Sequence, residues 1–142
     1  MLLVSGFVVV VDQRSKAIVA RRLDVGAHTS RAILGIRLRH VINRRNQWGS
    51  PRAIRLMTLL WLFLTTGAVL AVSVLDSIIM SIAIGAVIGG ATGNLLDGIS
   101  RKGITDFVDL RVWPVFNFAD TAIVSGAILL VWNTINSSAR LY

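Results

Sequence analysis

Three stretches of the chain contain no charged residue and are long enough to cross a lipid bilayer. They cover residues 56–75, 77–96 and 121–139, and they are 20, 20 and 19 residues long. At the helical rise per residue each covers roughly 30 Å, the thickness of a bilayer's hydrocarbon core. A soluble domain with this much apolar sequence would expose large adhesive patches. The sequence therefore predicts a membrane protein.

The N-terminal segment is a less regular candidate for a fourth span. Residues 1–11 are apolar, but Asp12, Arg14 and Lys16 follow. A helix over about 1–22 can cross the membrane if Asp12 and Lys16 face the protein interior or the far interface. A cleaved signal peptide fits less well, because no basic region precedes the apolar run and no cleavage site is clear. We predict one all-α membrane domain over residues 1–142, with four transmembrane helices at about 1–22, 54–75, 77–96 and 119–138.

The first loop, at residues 23–53, is long and basic in a chain whose formal net charge is +8. Residues 32–42 partly alternate apolar and polar side chains, which predicts strand pairing at the membrane surface. The positive charge satisfies the electrostatic criterion for nucleic-acid binding, but no recognised nucleic-acid motif accompanies it. We therefore predict contact with membrane lipids and no nucleic-acid partner.

The predicted third helix carries glycines at four-residue spacing, at Gly85, Gly89 and Gly93. Small residues at this spacing let helix backbones approach closely in lipid. A phosphate-binding loop is the alternative, but no Lys-Ser/Thr follows the glycines. The stripe therefore predicts helix packing.

Acids and amides cluster between the ends of the third and fourth predicted helices. Because the loop returns to the adjacent helix, these side chains can converge at one membrane edge, where ionisable groups point to function. Two carboxylates held close together cannot both ionise cheaply, so one keeps its proton and the pair can activate a water. That is the chemistry of an aspartic peptidase. The cluster comprises Asn94, Asp97, Asp106, Asp109, Asn117 and Asp120.

Simpler structural roles remain open for several of these acids. Asp120 precedes the fourth helix and would make an N-cap, Asp76 suits a turn, and Asp109 can pair locally with Arg111. The spacing alone leaves open whether Asp106 and Asp120 form a pair. With two histidines, both in the first loop, and no cysteine, we predict neither Ser-His-Asp chemistry nor a metal site, and no cofactor.

Four motifs in order resemble those of lipoprotein signal peptidase (signal peptidase II). They are VDQRSK at residues 11–16, GGATGNLLD at 89–97, GITDF at 103–107 and PVFNFAD at 114–120. The resemblance spans most of the chain. It implies a four-helix aspartic peptidase of the bacterial inner membrane, with a small β-cradle in the first loop, outside the cytoplasm. The implied reaction removes the signal peptide from a prolipoprotein just before its diacylglyceryl-modified cysteine, by a monomer that needs no cofactor.

The resemblance also implies roles for individual residues. Asp106 and Asp120 match the catalytic dyad. Supporting or substrate-contacting positions are matched by Asn94, Asp97, Asn117, Asn43, Asp12 and Lys16.

Two positions depart from the family pattern. An arginine usually follows the Asp of the GNxxD motif, and here the residue is Gly98, so Arg101 or Lys102 is a candidate substitute. The second motif keeps Asn43 and an aromatic Trp48 but replaces the small residues between them. These departures leave a non-catalytic lipoprotein- or lipid-binding relative as the alternative function.

Membrane orientation is a point of conflict. The basic loops would lie in the cytoplasm under the positive-inside rule, whereas the resemblance places them outside, where lipidated substrates emerge. We follow the resemblance, with the basic cradle against anionic headgroups. A small transporter or channel subunit, with the loop acids as an ion site, is a third function that the motifs disfavour.

Overall fold

The computed structural model describes residues 1–29, 36–43, 50–74 and 77–138. Four helices and two strands follow one another in these ranges. The helices are α1 (Leu2–Arg22), α2 (Pro51–Val74), α3 (Ile78–Arg101) and α4 (Phe118–Ser138). The strands are β1 (Arg37–Asn43) and β2 (Ile104–Asp109). The fold is mostly helical with one small sheet. The predicted turn residue Asp76 lies outside the described residues.

Helix α3 occupies the centre of the bundle and packs on α1, α2 and α4. Its glycines lie where neighbouring backbones approach most closely. A methyl group added at Gly85 would lie 2.6 Å from the carbonyl oxygen of Met1, and one at Gly89 would lie 2.7 Å from that of Ser5. On another face, Gly90 contacts the Ala119 carbonyl of α4. The prediction that the glycine stripe packs helices is confirmed.

Helix α3 also extends further than its charge-free stretch. The sequence predicts its end near residue 96, but the helix continues to Arg101 and includes Asp97. Asp97 is fully buried against a cationic partner described below. A paired charge does not have to leave the helix for water. The third loop is therefore shorter than predicted, because the first of its four acids belongs to the helix.

The two strands form an antiparallel ladder beside the ends of α1 and α3. Val41 pairs with Asp106 and Asn43 with Ile104, with an irregularity between Leu38 and Val41. The sequence predicted a strand in the first loop but not its partner β2, because pairing between distant segments leaves no local signal. The start of the predicted strand, residues 32–35, and the rest of the second motif, residues 44–49, lie outside the described residues.

Apolar side chains cover much of the outer surface of the helices. Within the described residues, two helical segments are long and apolar enough to cross a membrane, Ile78–Arg101 and Phe118–Asn136. Large exposed side chains occur on the other two helices as well, including Leu3 on α1 and Phe63 on α2. The charges of α1 at Asp12 and Lys16 point into the bundle. This is the arrangement that a membrane-crossing α1 requires.

Candidate active site

A buried ion-pair cluster joins α1 to α3. Asp12 and Lys16 lie one helical turn apart on α1 and are both fully buried. The Lys16 Nζ is 2.8 Å from Asp12 Oδ2 and 3.2 Å from Asp97 Oδ2. It also donates to Asn94 Oδ1 at 3.1 Å. One ammonium thus faces two carboxylates and an amide oxygen, the compensation that a buried charge requires.

Both oxygens of the Asp97 carboxylate have hydrogen-bond or ion-pair partners from several parts of the chain. Its Oδ2 accepts from the backbone N–H of Thr105 at 2.9 Å, which connects α3 to β2. Its Oδ1 accepts from Gln13 Nε2 at 3.2 Å and pairs with the Arg101 guanidinium, which also donates to Gln13. In the family pattern an arginine follows this Asp directly, whereas this chain has Gly98 at that position. Arg101 instead supplies a guanidinium to Asp97. Its i+4 spacing from Asp97 was the available sequence signal.

The start of α4 is a capping box that includes one member of the predicted dyad. Asn117 precedes the helix, and its Oδ1 accepts from the backbone N–H of Asp120 at 2.9 Å. In return, Asp120 Oδ2 accepts from the Asn117 N–H at 3.2 Å. The structural alternative for Asp120 was wrong in detail, because Asn117 takes the N-cap position and Asp120 lies in the first turn.

The side-chain amides of Asn94 and Asn117 connect Asp106 to Asp120 through hydrogen bonds. Asn117 Nδ2 donates to Asp106 Oδ1 at 2.8 Å, and Asn94 Nδ2 donates to Asp120 Oδ1 at 2.8 Å. Asn117 Nδ2 also donates to Asn94 Oδ1 at 3.1 Å. Asn43 of β1 completes the set by donating to Asp106 Oδ2 at 3.2 Å. Residues from β1, β2, α3 and α4 thus meet at the two carboxylates.

Burial gives Asp106 an unusual affinity for protons. Desolvation raises the pKa of Asp106 from 3.8 to about 6, and the negative charge of Asp120 adds to the rise. Hydrogen bonds from Asn43 and Asn117 and the charge of Lys16 act in the opposite direction. A carboxyl with this pKa retains a proton at pH values where ordinary aspartates are ionised. The pair can therefore hold one acidic proton beside one carboxylate.

Two apolar cavities include Asp120 in their walls. The first, about 250 Å³, is lined by residues of α2, α3 and α4, including Leu60, Trp61 and Ile123. The second, about 280 Å³, lies between α4 and the loop after β2 and includes Trp113 and Phe116. Asp120 thus lines both cavities, whereas Asp12 and Asp97 are fully buried.

The remaining candidates are not part of this constellation. Asp109 Oδ1 accepts from the backbone N–H of Arg111 at 2.8 Å, so it stabilises the local turn. His40 is buried with its Nδ1 2.8 Å from the carbonyl oxygen of Leu23, and His28 is exposed in a short bridge to Arg39. Within the described residues, no group of three or more His, Cys, Asp or Glu could hold a metal.

Comparison with known proteins gives the family. The family model for signal peptidase (SPase) II matches residues 4–136. The chain is 50% identical over 62 residues to the lipoprotein signal peptidase of Pelotomaculum thermopropionicum, which is 44% of this chain and 41% of the relative. It is 47% identical over 57 residues to that of Moorella thermoacetica, covering 40% and 38%. These matches span about two fifths of the curated relatives' length.

The fold agrees with that of a solved protein. A bacterial membrane enzyme determined by the in meso method superposes with a TM-score of 0.84, covering 97% of this chain and 88% of that one at 23% identity. A second such enzyme gives 0.81 at 24% identity, covering 93% and 90%. At this identity the likeness concerns the fold. The family assignment follows from the model that matches nearly the whole chain: this protein belongs to the signal peptidase II family.

Proposed function

We propose that this chain is an aspartic endopeptidase that removes the signal peptide from diacylglyceryl-modified prolipoproteins. The observation that carries the proposal is the pair Asp106 and Asp120, linked through the amides of Asn94 and Asn117. Family membership supports the substrate class, because the relatives named above are lipoprotein signal peptidases. The raised pKa of Asp106 supports the division of roles within the pair.

In the proposed reaction, Asp106 carries the shared proton and Asp120 is the base. Asp120 takes a proton from a water whose oxygen attacks the scissile carbonyl carbon, while Asp106 gives its proton to the carbonyl oxygen. When the C–N bond breaks, Asp120 returns its proton to the leaving amine of the modified cysteine. A hydroxyl proton of the intermediate restores Asp106. Asn94 and Asn117 hold both carboxylates in position, which preserves the effective molarity of the water.

The cavities support a placement for the substrate. We assign the diacylglyceryl group to the cavity lined by α2, α3 and α4, because its wall is mostly apolar and includes Asp120. The peptide backbone then crosses the Asp120 carboxylate between the two cavities. Every group of the proposed site comes from one chain, which is consistent with a monomeric enzyme.

The proposed location is the bacterial inner membrane, with four spanning helices and the site on the extracytoplasmic side. The apolar surfaces of α3 and α4 support membrane insertion, and the buried charges of α1 support its insertion beside them. The orientation is tested by a reporter fused after residue 142. An external C-terminus would contradict it, because the site lies at the ends of the four helices opposite the C-terminus of α4, so an extracytoplasmic site requires a cytoplasmic C-terminus.

Cleavage of a lipidated prolipoprotein in proteoliposomes tests the activity. We expect Asp106→Asn and Asp120→Asn each to lower the cleavage rate by about 10²–10⁴-fold, the usual contribution of a general acid or base. Asp109→Asn is the matched control, because Asp109 lies in the same strand as Asp106 and its carboxylate accepts from the backbone of the local turn. Full cleavage by both dyad variants would refute the dyad. Binding without cleavage by the unmodified protein would instead identify a non-catalytic relative.

A further inference from the structure

Among the described residues, the charged side chains are confined to one end of the bundle. Within the described helices, residues 1–11, 56–74, 77–96 and 121–138 contain no charged side chain. The charges lie instead at the cradle formed by β1 and β2, in the site, and at the helix ends beside them. Eight exposed cations form what we call the basic collar, namely Arg14, Arg21, Arg22, Arg39, Arg52, Arg55, Lys102 and Arg111.

The basic collar has almost no compensating negative charge on the protein. The acids near it are buried or engaged: Asp12 and Asp97 pair with Lys16, and Asp109 accepts from a backbone N–H. Asp24 is the single exposed acid among the described residues. No cation of the collar forms an ion pair with a described acid. Its charge is thus directed outward, toward whatever lies against this end of the bundle.

The loop that follows β2 is part of the same surface. Hydrogen bonds between Val108 and Phe116 close its base. At its tip, Arg111 adopts a left-handed backbone with φ 63°, Val112 is 90% exposed and Trp113 is 67% exposed. Tryptophan beside arginine is typical of the boundary between lipid and water. Trp113 also lines the cavity between α4 and this loop, which includes Asp120, so this loop connects the surface to the site.

We propose that the basic collar and the tip of this loop form a binding surface for anionic phospholipid headgroups. The cations attract the phosphates, and Val112 and Trp113 lie among the headgroups and the first acyl carbons. The charge of the basic collar identifies the binding partner, because exposed cations at the edge of a membrane lie close to its negatively charged headgroups. This surface goes beyond the proposed peptidase activity and does not depend on it.

Lipid selectivity measured without substrate tests the proposal. In proteoliposomes, the relative association of spin-labelled phosphatidylglycerol and phosphatidylcholine is read from the motionally restricted fraction. We expect phosphatidylglycerol to be preferred by about five-fold, the effect of roughly one favourable cation contact near an anionic lipid. The preference should decrease at high salt, which screens exposed charges. Equal association of the two lipids would overturn the proposal.

Charge-matched variants identify the surface. Replacing Arg21, Arg22, Arg52 and Arg55 together by Gln should reduce the preference, whereas replacing the same four by Lys should preserve it. An unchanged preference in the Gln variant would also overturn the proposal. Because no substrate is present, these results are independent of whether Asp106 and Asp120 cleave a peptide.

The chain has no cysteine, so a single spin label can report the depth of the loop tip. We expect a label at Val112→Cys to lie at headgroup depth, shallower than one at Ile128→Cys, whose parent side chain is exposed on the apolar surface of α4. A Val112→Cys label as accessible to an aqueous relaxation agent as a free label would exclude insertion of the loop.

Discussion

Two carboxylate pairs lie side by side in this protein, and their surroundings differ in one decisive respect. Asp12 and Asp97 share the ammonium of Lys16 and are sealed from solvent. Asp106 and Asp120 receive hydrogen bonds from neutral amides, and Asp120 also lines two cavities. A buried carboxylate paired with a cation can remain ionised, whereas a pair held only by neutral amides favours retention of a proton. Under the proposed function, aspartates of the same cluster therefore have two different roles.

The largest expected effect comes from removing the cation of the sealed pair. Lys16→Met removes the ammonium shared by two buried carboxylates, which leaves Asp12 without its ion-pair partner and Asp97 with Arg101 alone. We expect it to lower the free energy of unfolding by about 3–5 kcal/mol. Thermal unfolding in detergent measures the change. Lys102→Met is the control, since Lys102 is exposed at the end of α3. If both variants unfold at the wild-type temperature, the sealed pair does not stabilise the fold.

Asn94 connects the two pairs and should affect both stability and activity. Its Oδ1 accepts from Lys16 and its Nδ2 donates to Asp120. Asn94→Ala should cost about 1–3 kcal/mol of stability, because a buried donor loses its acceptor, and up to about 10²-fold in kcat from misplacement of Asp120. Thr92→Ala, in the same turn of α3, is the comparison variant. A loss of stability with unchanged kcat would separate the pairs functionally.

The dyad should lose its shared proton at a higher pH than an ordinary aspartate does. Because burial raises the pKa of Asp106 to about 6, the shared proton is present below that pH and is lost as the pH rises through it. We expect kcat/KM of the free enzyme to decrease along a basic limb near this value. Asn43→Ala removes a hydrogen bond that lowers this pKa, so the limb should move to higher pH. Movement to lower pH would contradict the assignment.

The smallest expected effect comes from removing the guanidinium of Arg101, the candidate substitute for the family's arginine. Arg101 is 30% exposed and shares Asp97 with Lys16 and Thr105. We therefore expect Arg101→Ala to lower the unfolding free energy by no more than about 1 kcal/mol and to leave kcat nearly unchanged. Arg101→Lys should retain most of the stability. A large loss of kcat in Arg101→Ala would indicate that Asp97 contributes to catalysis and does not only support the fold.

Much of this arrangement follows from the sequence, and the exceptions share a physical cause. Uncharged runs predicted the apolar helices and glycine spacing predicted their packing, since both are local signals. The end of α3 was placed too early because a charged residue was assumed to require water, and Lys16 from α1 removes that requirement for Asp97. Strand β2 and the contacts of Gln13 depend on segments far apart in the chain. Such contacts become evident only when the helices are assembled.

The capping box of α4 has a consequence for how the site forms. The Asn117 side chain donates a hydrogen bond to the Asp106 carboxylate, and it also caps the helix that carries Asp120. The first turn of α4 and the proposed dyad are consequently one cooperative unit, because fraying that turn releases the placement of both carboxylates at once. The exchange of the Asp120 amide hydrogen is then a direct measure of how often the site is assembled, independent of any substrate.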